Sequence, residues 1–567
     1  MSALFERLPT ELLYQIFDNL DVETIVVSLR QVCRLFRSVI QTYNRYIFDF
    51  QWVSKSNLNL ICRIIRPKNV ISLILTNDKT PGLVDFFLSL VRISRFTRLQ
   101  SLILRDIDEP HVVSILTRIK VDRLNSFVIK IEKYDQRRKM TTVKFINSII
   151  SQSNLQKLDL QIERDRFDLI QWLEKSVLRD LSTNGNMTWN NLCTIMRCSS
   201  QLRTLTLRRV LPFVDGTNNS ICFVQLTSLT IDQMHTNIGE LESFLLFTPS
   251  LLHLKMIGVI NILDGTRWEQ FIQIHLPMLN KFEIFLWTNT TLHQNLQDIE
   301  SIIKPFRSLF WIKHINCFFT CEYEIESSKK IYLYSLPICR TRMEYIPSSQ
   351  RMSLSTSTSD LSRMNNVKNV ILTMTKALAD EIIEKETNPV FCKATKLFVD
   401  LADDWPFISL NYLSVLIDLS HLVEIDFNSC SPTILNTNVL FDIITLIQQA
   451  PNLSSLLIGQ HFAYGYGLST EDICCIISRQ IKHLQVPVSD LNDIKVVFER
   501  CNHLSSIQFN IRQRKFSKDI VRWIIDNATD TTYRIDPNFV KVWVGKNKIE
   551  SNELNVGSKR IKLSEHC

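Results

Sequence analysis

The sequence predicts a mixed α/β (α+β) fold in which a short helical segment precedes a long array of strand-and-helix units. Three observations support this prediction. Apolar residues in the first fifty positions recur at helical spacing, and a six-residue pattern, apolar-x-x-apolar-x-apolar, recurs along the rest of the chain. Stretches with a helical apolar period separate successive copies of that pattern. Because one such unit cannot bury its apolar face alone, stacked neighbours are expected to share a core.

Composition bounds the class of protein. The chain has 567 residues, enough for several domains or one long array. Its 45% hydrophobic and 22% charged residues are ordinary for a globular protein and exclude bulk disorder. The net charge of +8 is spread over a long chain without a concentrated basic face, so we expect no nucleic-acid partner. No apolar run reaches about 18 residues, so we expect no membrane partner.

The cysteines and the first residues predict the compartment. The 14 cysteines are scattered, and the opening residues lack a basic stretch followed by an apolar one, which a signal peptide would show. We therefore expect reduced thiols and a cytoplasmic and/or nuclear protein.

The first fifty residues predict three short helices. Pro9 stands where a first-turn proline is tolerated, and Asp21 is expected to cap the second helix. Ser28 and Gln31 have the spacing of a capping box and are expected to open the third helix. The first helix carries an apolar face of Leu12, Leu13, Ile16, Phe17 and Leu20. The third is expected to turn inward Leu29, Val32, Cys33, Phe36 and Ile40.

Two stretches of this segment carry a composite motif. Residues 8–20 read Leu-Pro-Thr-Glu-Leu-Leu-Tyr-Gln-Ile-Phe-Asp-Asn-Leu, and residues 28–40 read Ser-Leu-Arg-Gln-Val-Cys-Arg-Leu-Phe-Arg-Ser-Val-Ile. Together they resemble an F-box over about residues 5–48, with Phe36 where that family often has Trp. The resemblance implies binding to a Skp-type adaptor of a cullin-based ubiquitin ligase. It places the following residues at or just behind that interface: Leu8, Pro9, Leu12, Ile16, Leu20, Val32 and Phe36. A generic three-helix cap is the alternative.

The repeated pattern forms two series. The first begins at Val70, Leu99, Leu124, Leu155, Leu202, Leu226, Leu251 and Leu279, and the second at Val367, Ala394, Leu422, Leu453, Ile481 and Leu504. Most successive starts are about 23–31 residues apart, close to the period of leucine-rich repeats. The array therefore resembles a leucine-rich-repeat solenoid, or horseshoe. The longest gap, between Leu155 and Leu202, is expected to hold an extra helical stretch from Leu169 to Leu181.

The array departs from the family pattern at the ninth position. That family has Asn or Cys there, and in this chain Cys430 conforms whereas Asp78 and Ile107 do not. We therefore expect an irregular horseshoe whose turns are hydrogen-bonded another way. The predicted domains are the F-box (1–50), the first series (51–347), a Ser/Thr-rich linker or loop (348–364), the second series (365–545) and a polar tail (546–567).

No catalytic or cofactor site is predicted. His314, Cys317 and Cys321 lie close together but lack a Cys-x-x-Cys pair and a fourth ligand, so no metal is expected. Gly459 to Gly467 lacks the phosphate-loop pattern and is expected to be a flexible turn, or alternatively an exposed aromatic recognition loop. No nucleophile motif occurs, so we expect no cofactor and no enzyme activity.

The resemblance implies the substrate-recognition subunit of an SCF-type E3 ubiquitin ligase. The F-box would bind the adaptor, and the repeats would bind a target protein that the sequence does not name. One alternative is a leucine-rich-repeat scaffold that does not lead to degradation. Others are an unrelated repeat protein whose N-terminal cap imitates an F-box and, least favoured, an enzyme.

Overall fold

The computed structural model describes most of the chain. It covers residues 8–51, 53–78, 80–172, 176–184, 187–208, 222–235, 237–259, 264–289, 296–325, 330–357, 364–384, 389–401, 413–430, 439–459, 463, 469–511, 516–528, 531–536 and 538–544. The predicted tail at 546–567 and most of the Gly459 to Gly467 loop lie outside these ranges. In the part that is covered, no helix is long and apolar enough to cross a membrane.

Three helices and a π-helical turn form the N-terminal segment. They are α1 (Thr10–Phe17), the π-helical turn (Thr24–Leu29), α2 (Arg30–Val32) and α3 (Arg34–Thr42). Later helices are α4 (Lys55–Ile64), α5 (Leu83–Leu90), α6 (Glu109–Leu116), α7 (Lys139–Ile150), α8 (Arg164–Phe167), α9 (Trp189–Cys198), α10 (Ile238–Leu245), α11 (Gly265–His275), α12 (Leu296–Ile303), α13 (Lys376–Glu384), α14 (Leu413–Leu416), α15 (Val439–Gln449), α16 (Thr470–Ile476), α17 (Leu491–Arg500) and α18 (Phe516–Asn527). Short 3₁₀ or π turns span Pro67–Asn69, Ile93–Arg95, Gln136–Arg138, Lys304–Arg307, Phe310–His314, Ser348–Gln350 and Leu419–His421.

The first sheet has ten parallel strands in chain order, followed by three antiparallel ones. The parallel strands are β1 (Tyr46–Asp49), β2 (Val70–Thr76), β3 (Ser101–Ile107), β4 (Ser126–Ile131), β5 (Lys157–Gln161), β6 (Asp180–Thr183), β7 (Thr204–Arg208), β8 (Ser228–His235), β9 (His253–Val259) and β10 (Lys281–Asn289). The order then runs β12 (Lys330–Leu336), β11 (Phe318–Glu324) and β14 (Arg351–Ser355).

The second sheet repeats this arrangement. Its parallel strands are β13 (Arg342–Tyr345), β15 (Asn369–Met374), β16 (Lys396–Leu401), β17 (Glu424–Cys430), β18 (Ser455–Ile458), β19 (His483–Val488) and β20 (Ser506–Ile511). It ends with β22 (Phe539–Trp543) and β21 (Thr532–Asp536), which are antiparallel.

Equivalent residues of successive units stand side by side. The second apolar positions of the predicted copies, together with Leu181 of a unit that was not predicted, pair across the first sheet in the order Leu73, Leu102, Phe127, Leu158, Leu181, Leu205, Leu229, Leu254 and Phe282. Each of these side chains is at least 97% buried. Burying one such side chain contributes about 1.5–3 kcal/mol, so the row forms a continuous core.

A row of backbone hydrogen bonds enters each strand from the preceding unit. The amide of Gln100 donates to the carbonyl of Ile71 (2.8 Å), and the amide of Asn125 donates to the carbonyl of Gln100 (2.9 Å). The second sheet has the same row, from Lys368 onto Thr341 (2.9 Å) through to Val544. Backbone groups at the strand entries are therefore satisfied by the preceding unit.

Two sequence expectations about the repeated units are wrong. Leu178 and Leu181 do not belong to a helix: Leu181 lies on β6, and Leu178 immediately precedes it. A three-residue spacing fits both a helix and the repeated pattern, and the alternating burial of β6 favours the strand.

The stretch 348–364 is not wholly a loop, because β14 pairs with β11 and its Met352 and Leu354 pack on the core. Serines alternate with these two apolar residues, so the strand was not recognised in the sequence. Residues 358–363 lie outside the described part of the chain.

The N-terminal helices continue directly into the sheet. The Tyr46 hydroxyl at the start of β1 donates to the carbonyl of Ile40 on α3 (2.6 Å). Core residues of the helices and of the first strands belong to one apolar cluster. The predicted boundary at residue 50 therefore falls beyond a strand that is already part of the sheet.

The last strands contact the first units of the other sheet. Indole Nε1 of Trp543 donates to the carbonyl of Val53 (3.1 Å), and Nζ of Lys541 donates to the carbonyl of Asp78 (2.5 Å). Nη1 and Nη2 of Arg534 donate to the carboxylate of Glu132 (2.8 and 2.6 Å), 402 residues away in sequence. The two ends of the array are thus held together.

A buried ion pair joins the unit that contains β3 to the unit that contains β5, across the unit of β4. Nε and Nη2 of Arg166 each donate to the carboxylate of Glu109 at 3.0 Å, and both side chains are fully buried. The same carboxylate accepts from the amide of Asp135 (2.6 Å), and the Arg166 guanidinium stacks on Tyr134 at 4.5 Å.

Removing one partner of this pair should destabilise the protein strongly. Arg166→Met leaves the Glu109 carboxylate buried without its cation, and such a loss typically costs about 3–5 kcal/mol. Urea unfolding followed by circular dichroism should show a clearly lower midpoint. The double variant Arg166→Met/Glu109→Gln should recover much of the loss, because no buried charge is then left unpaired; the other two partners of Arg166, Glu163 and Asp165, are partly exposed. Arg267→Met, which breaks a solvent-exposed pair with Glu242, is the control and should unfold like the wild type. Equal midpoints for the two single variants would contradict this account.

Candidate functional site

Helix α1 has a buried edge and an exposed edge. The amides of Leu12 and Leu13 both donate to the carbonyl of Pro9 (3.1 and 3.2 Å), so the proline starts the helix from just outside it. Leu13 and Phe17, one turn apart, are 99% buried and face the core. The apolar stripe seen in the sequence is therefore wider than the buried face.

The excess apolar surface lies on the outer edge of α1. Leu12 is 43% exposed and Ile16 is 39% exposed, and their four-residue spacing places them on one face. Val32, on α2, is 60% exposed. Each of the three side chains keeps a substantial exposed apolar surface, which is available to a partner.

The remaining predicted site residues have different surroundings. Pro9 is exposed, whereas Leu8 and Leu20 are partly buried and pack against the core. Phe36 is 94% buried, and its ring centroid lies 6.3 Å from that of Phe17. Phe36 therefore supports the helices from behind rather than offering surface.

The third helix begins later than expected. It starts at Arg34, and the Cys33 thiol accepts a hydrogen bond from the amide of Phe36 (3.5 Å) as its N-cap. Ser28 lies inside the π-helical turn and does not open the helix, so Val32 faces outward instead of inward. The predicted cap at Asp21 is confirmed, because its carboxylate accepts from the amide of Thr24 (2.7 Å).

A tyrosine that sequence reasoning missed fixes α1 against α3. The Tyr43 hydroxyl donates to the carboxylate of Asp18 (2.6 Å), which also pairs with Arg45 (2.9 Å). Tyr43 is 99% buried, and its ring lies 5.4 Å from that of Tyr14. Burial and the Asp18 carboxylate raise the pKa of the Tyr43 hydroxyl, so it stays a donor. The sequence feature that could have indicated this role is an aromatic residue directly after an amphipathic helix.

A second set of contacts links this segment to the following units. Asn57 on α4 donates to the carboxylate of Glu23 (2.5 Å), and Asn69 donates to the carbonyl of Tyr43 (3.2 Å). A cavity of about 260 Å³ lies between the helices and the first strands, lined in part by Leu20 and Ile71. The outer edge of α1 is thus presented by a framework tied to the sheet.

The cysteines considered for a metal have structural surroundings. The Cys317 thiol donates to the carbonyl of Phe282 (3.2 Å), and burial raises the pKa of Cys321 to about 12. His314 lies against the ring of Phe310 at 5.5 Å. Within the described residues, no three His, Cys, Asp or Glu side chains are grouped to hold a metal ion.

Comparison with known proteins identifies the N-terminal segment. Residues 5–48 match the F-box domain, and no curated protein matches the chain. F-box domains generally bind Skp-type adaptors and serve substrate recognition by ubiquitin ligases. The chain therefore carries an F-box domain at its N-terminus, ahead of a two-sheet α/β body.

Proposed function

We propose that this chain is the substrate-recognition subunit of an SCF-type E3 ubiquitin ligase. The F-box binds a Skp-type adaptor and, through it, a cullin, and the remaining units bind a target protein. The observation that carries the proposal is the pair of exposed apolar side chains, Leu12 and Ile16, on the outer edge of α1 within the matched segment.

We further propose that the body is an irregular leucine-rich-repeat-like solenoid. Support comes from the parallel strand order, the in-register apolar positions and the backbone bonds that repeat from unit to unit. Solenoids use extended surfaces rather than single clefts to bind proteins. Such a body suits a protein target.

The proposed mechanism is proximity without a catalytic centre in this chain. A target held on the body is carried next to the conjugating enzyme, which raises the effective concentration of its lysines. A rigid connection favours this role, because a fixed geometry keeps the target within reach. The contacts of Tyr46 with Ile40 and of Asn57 with Glu23 supply that rigidity. A cytoplasmic and/or nuclear location is part of the same proposal.

The double variant Leu12→Ala/Ile16→Ala should lose adaptor binding while staying folded. Leu12 is 43% exposed and Ile16 is 39% exposed, so truncation costs the fold less than at a buried position, whereas central interface residues typically contribute about 2 kcal/mol or more each. Calorimetric titration with a purified Skp-type adaptor should show affinity reduced at least about 30-fold. Circular dichroism should match the wild type.

A matched control for this variant lies elsewhere on the surface. Ile274 and Met278 are 70% and 59% exposed and are also four residues apart. Ile274→Ala/Met278→Ala should bind the adaptor like the wild type. Unchanged binding by the Leu12/Ile16 variant would rule out this face as the adaptor site.

Phe36→Ala should act through folding instead. Its burial against Phe17 predicts a loss of about 3–5 kcal/mol, enough to open the small helical segment. Hydrogen exchange should become fast across residues 10–42, and adaptor binding should fall with it. Wild-type protection in this variant would show that Phe36 is not a supporting residue.

In cells, the Leu12→Ala/Ile16→Ala variant should capture the target without promoting its turnover, because the target site lies elsewhere. Target abundance should rise when this variant replaces the wild type. A scaffold that does not lead to degradation would leave abundance unchanged, and this outcome would favour that alternative. Point variants are preferable to deleting residues 1–48, because the deletion also removes most of β1 and uncovers β2.

A further inference from the structure

A small cavity lies where the end of the first sheet meets the start of the second. It measures about 110 Å³, and its lining includes Arg340, Arg342, Arg351, Glu322, Phe285 and Tyr334. We call it the arginine cavity. Its lining comes from strands β10 to β15 and from the connections on either side of β13, so the packing of the two sheets creates it.

One of the three arginines is already neutralised. Nη1 of Arg351 donates to the carboxylate of Glu322 (2.8 Å), which also accepts from the hydroxyl of Ser353 (3.3 Å). The Arg351 and Glu322 side chains are only 17% and 8% exposed. This pair forms a wall of the cavity and leaves no charge for a ligand.

Arg340 has no such partner. Its guanidinium is partly buried and stacks over the rings of Phe285 (5.1 Å) and Trp287 (5.5 Å). Among the described residues, no side chain or backbone carbonyl accepts a hydrogen bond from it, and Asp232 acts on its charge only through space. The carbonyl of neighbouring Cys339 is taken by the ammonium of Lys255 (2.7 Å). Burial lowers the pKa of Arg340, so its charge is poorly compensated.

Arg342 adds a second uncompensated cation. It is exposed, stacks over Phe398 at 5.2 Å, and forms no ion pair within the described part of the chain. Glu344 is the one other carboxylate that lines the cavity. Setting aside the Arg351–Glu322 pair, the lining holds two guanidinium groups and one carboxylate, so the lining itself carries an excess positive charge, with Asp232 acting on Arg340 from outside it.

These features match a specific ligand chemistry. A guanidinium has five N–H donors in a planar fork, which suits the paired oxygens of a phosphate or carboxylate. Stacking on aromatic rings orients the fork but leaves its donors unsatisfied. The volume exceeds the roughly 10–15 Å³ that one water needs, yet it is too small for a drug-sized molecule.

We propose that the arginine cavity is a binding site for a compact oxyanion, a phosphate or carboxylate group, with Arg340 and Arg342 as its ligands. The site is separate from the exposed edge of α1 and goes beyond the proposed ligase function, which it does not require. The oxyanion would supply the hydrogen-bond acceptors that Arg340 lacks.

The test is calorimetric titration of the full chain in a buffer free of oxyanions, with sodium orthophosphate as the probe. We expect saturable binding at millimolar concentrations or tighter. Arg340→Met should weaken it at least about tenfold, since a bidentate guanidinium contact is lost. Arg342→Gln, at an exposed position that leaves the fold intact, should weaken it as well. Arg118→Met removes an exposed arginine outside the cavity and should change nothing.

Two further probes separate the sources of the anion. N-acetyl-phosphoserine amide that binds more tightly than orthophosphate would assign the site to a phosphate carried on a protein segment, and equal affinities would assign it to the free anion. Acetate that binds more tightly than both would assign it to a carboxylate. The proposal is overturned if none of the three probes binds saturably, or if both Arg340→Met and Arg342→Gln bind like the wild type.

Discussion

The rest of the structure depends on the parallel alignment of equivalent residues in successive units. Each strand begins where the amide of one unit reaches the carbonyl of its predecessor, as Asn125 does with Gln100 and Gln100 with Ile71. That bond sets the register, and the register places every inward leucine beside the next. A one-residue slip would turn the whole apolar row outward, so burial and hydrogen bonding reinforce the same alignment.

This alignment also orients the F-box domain. Strand β1 follows α3 after three residues and pairs with β2, so the helices join the sheet rather than hanging from a linker. At the far end, β22 carries Val540 and Val542 in the second core while Trp543 belongs to the first. Trp543 therefore packs near Phe86, and both ends of the array meet close to the F-box. An adaptor bound to α1 would thus have a defined position relative to all units.

Much of this arrangement could be predicted from the sequence. The apolar-x-x-apolar-x-apolar copies lie on strands, because alternation in a strand and burial against a shared core leave a direct trace in residue type. Helical apolar spacing located α1, and the residue type located the cap at Asp21. The sequence could not predict which apolar residues of α1 are buried and which are exposed. Leu12 and Leu13 are equally apolar, and only the packing shows that Leu13 is buried and Leu12 faces solvent. The prediction that Val32 faces inward was wrong because the third helix begins after Val32, with Cys33 as its N-cap.

Other features depend on contacts between distant residues and left no local signal. The Glu109–Arg166 pair joins positions 57 residues apart, and nothing near either residue predicts that both are buried. The arginine cavity gathers Phe285 and Arg351 from separate strands and Arg340 from the connection before β13, and the turn of the chain into antiparallel strands after β10 brings them together. The short edge strand β14 was hidden by its serines. These are places where tertiary packing, not residue pattern, decides the outcome.

The central claim is that the outer edge of α1 binds a Skp-type adaptor while the body remains free. Hydrogen-exchange mass spectrometry of the full chain, with and without saturating adaptor, tests it most directly. The account predicts slower exchange confined to the peptides covering residues 8–20 and 28–40, with unchanged exchange across the strands of both sheets. Adaptor binding that protects strands of the sheets instead, and leaves residues 8–20 unchanged, would contradict it.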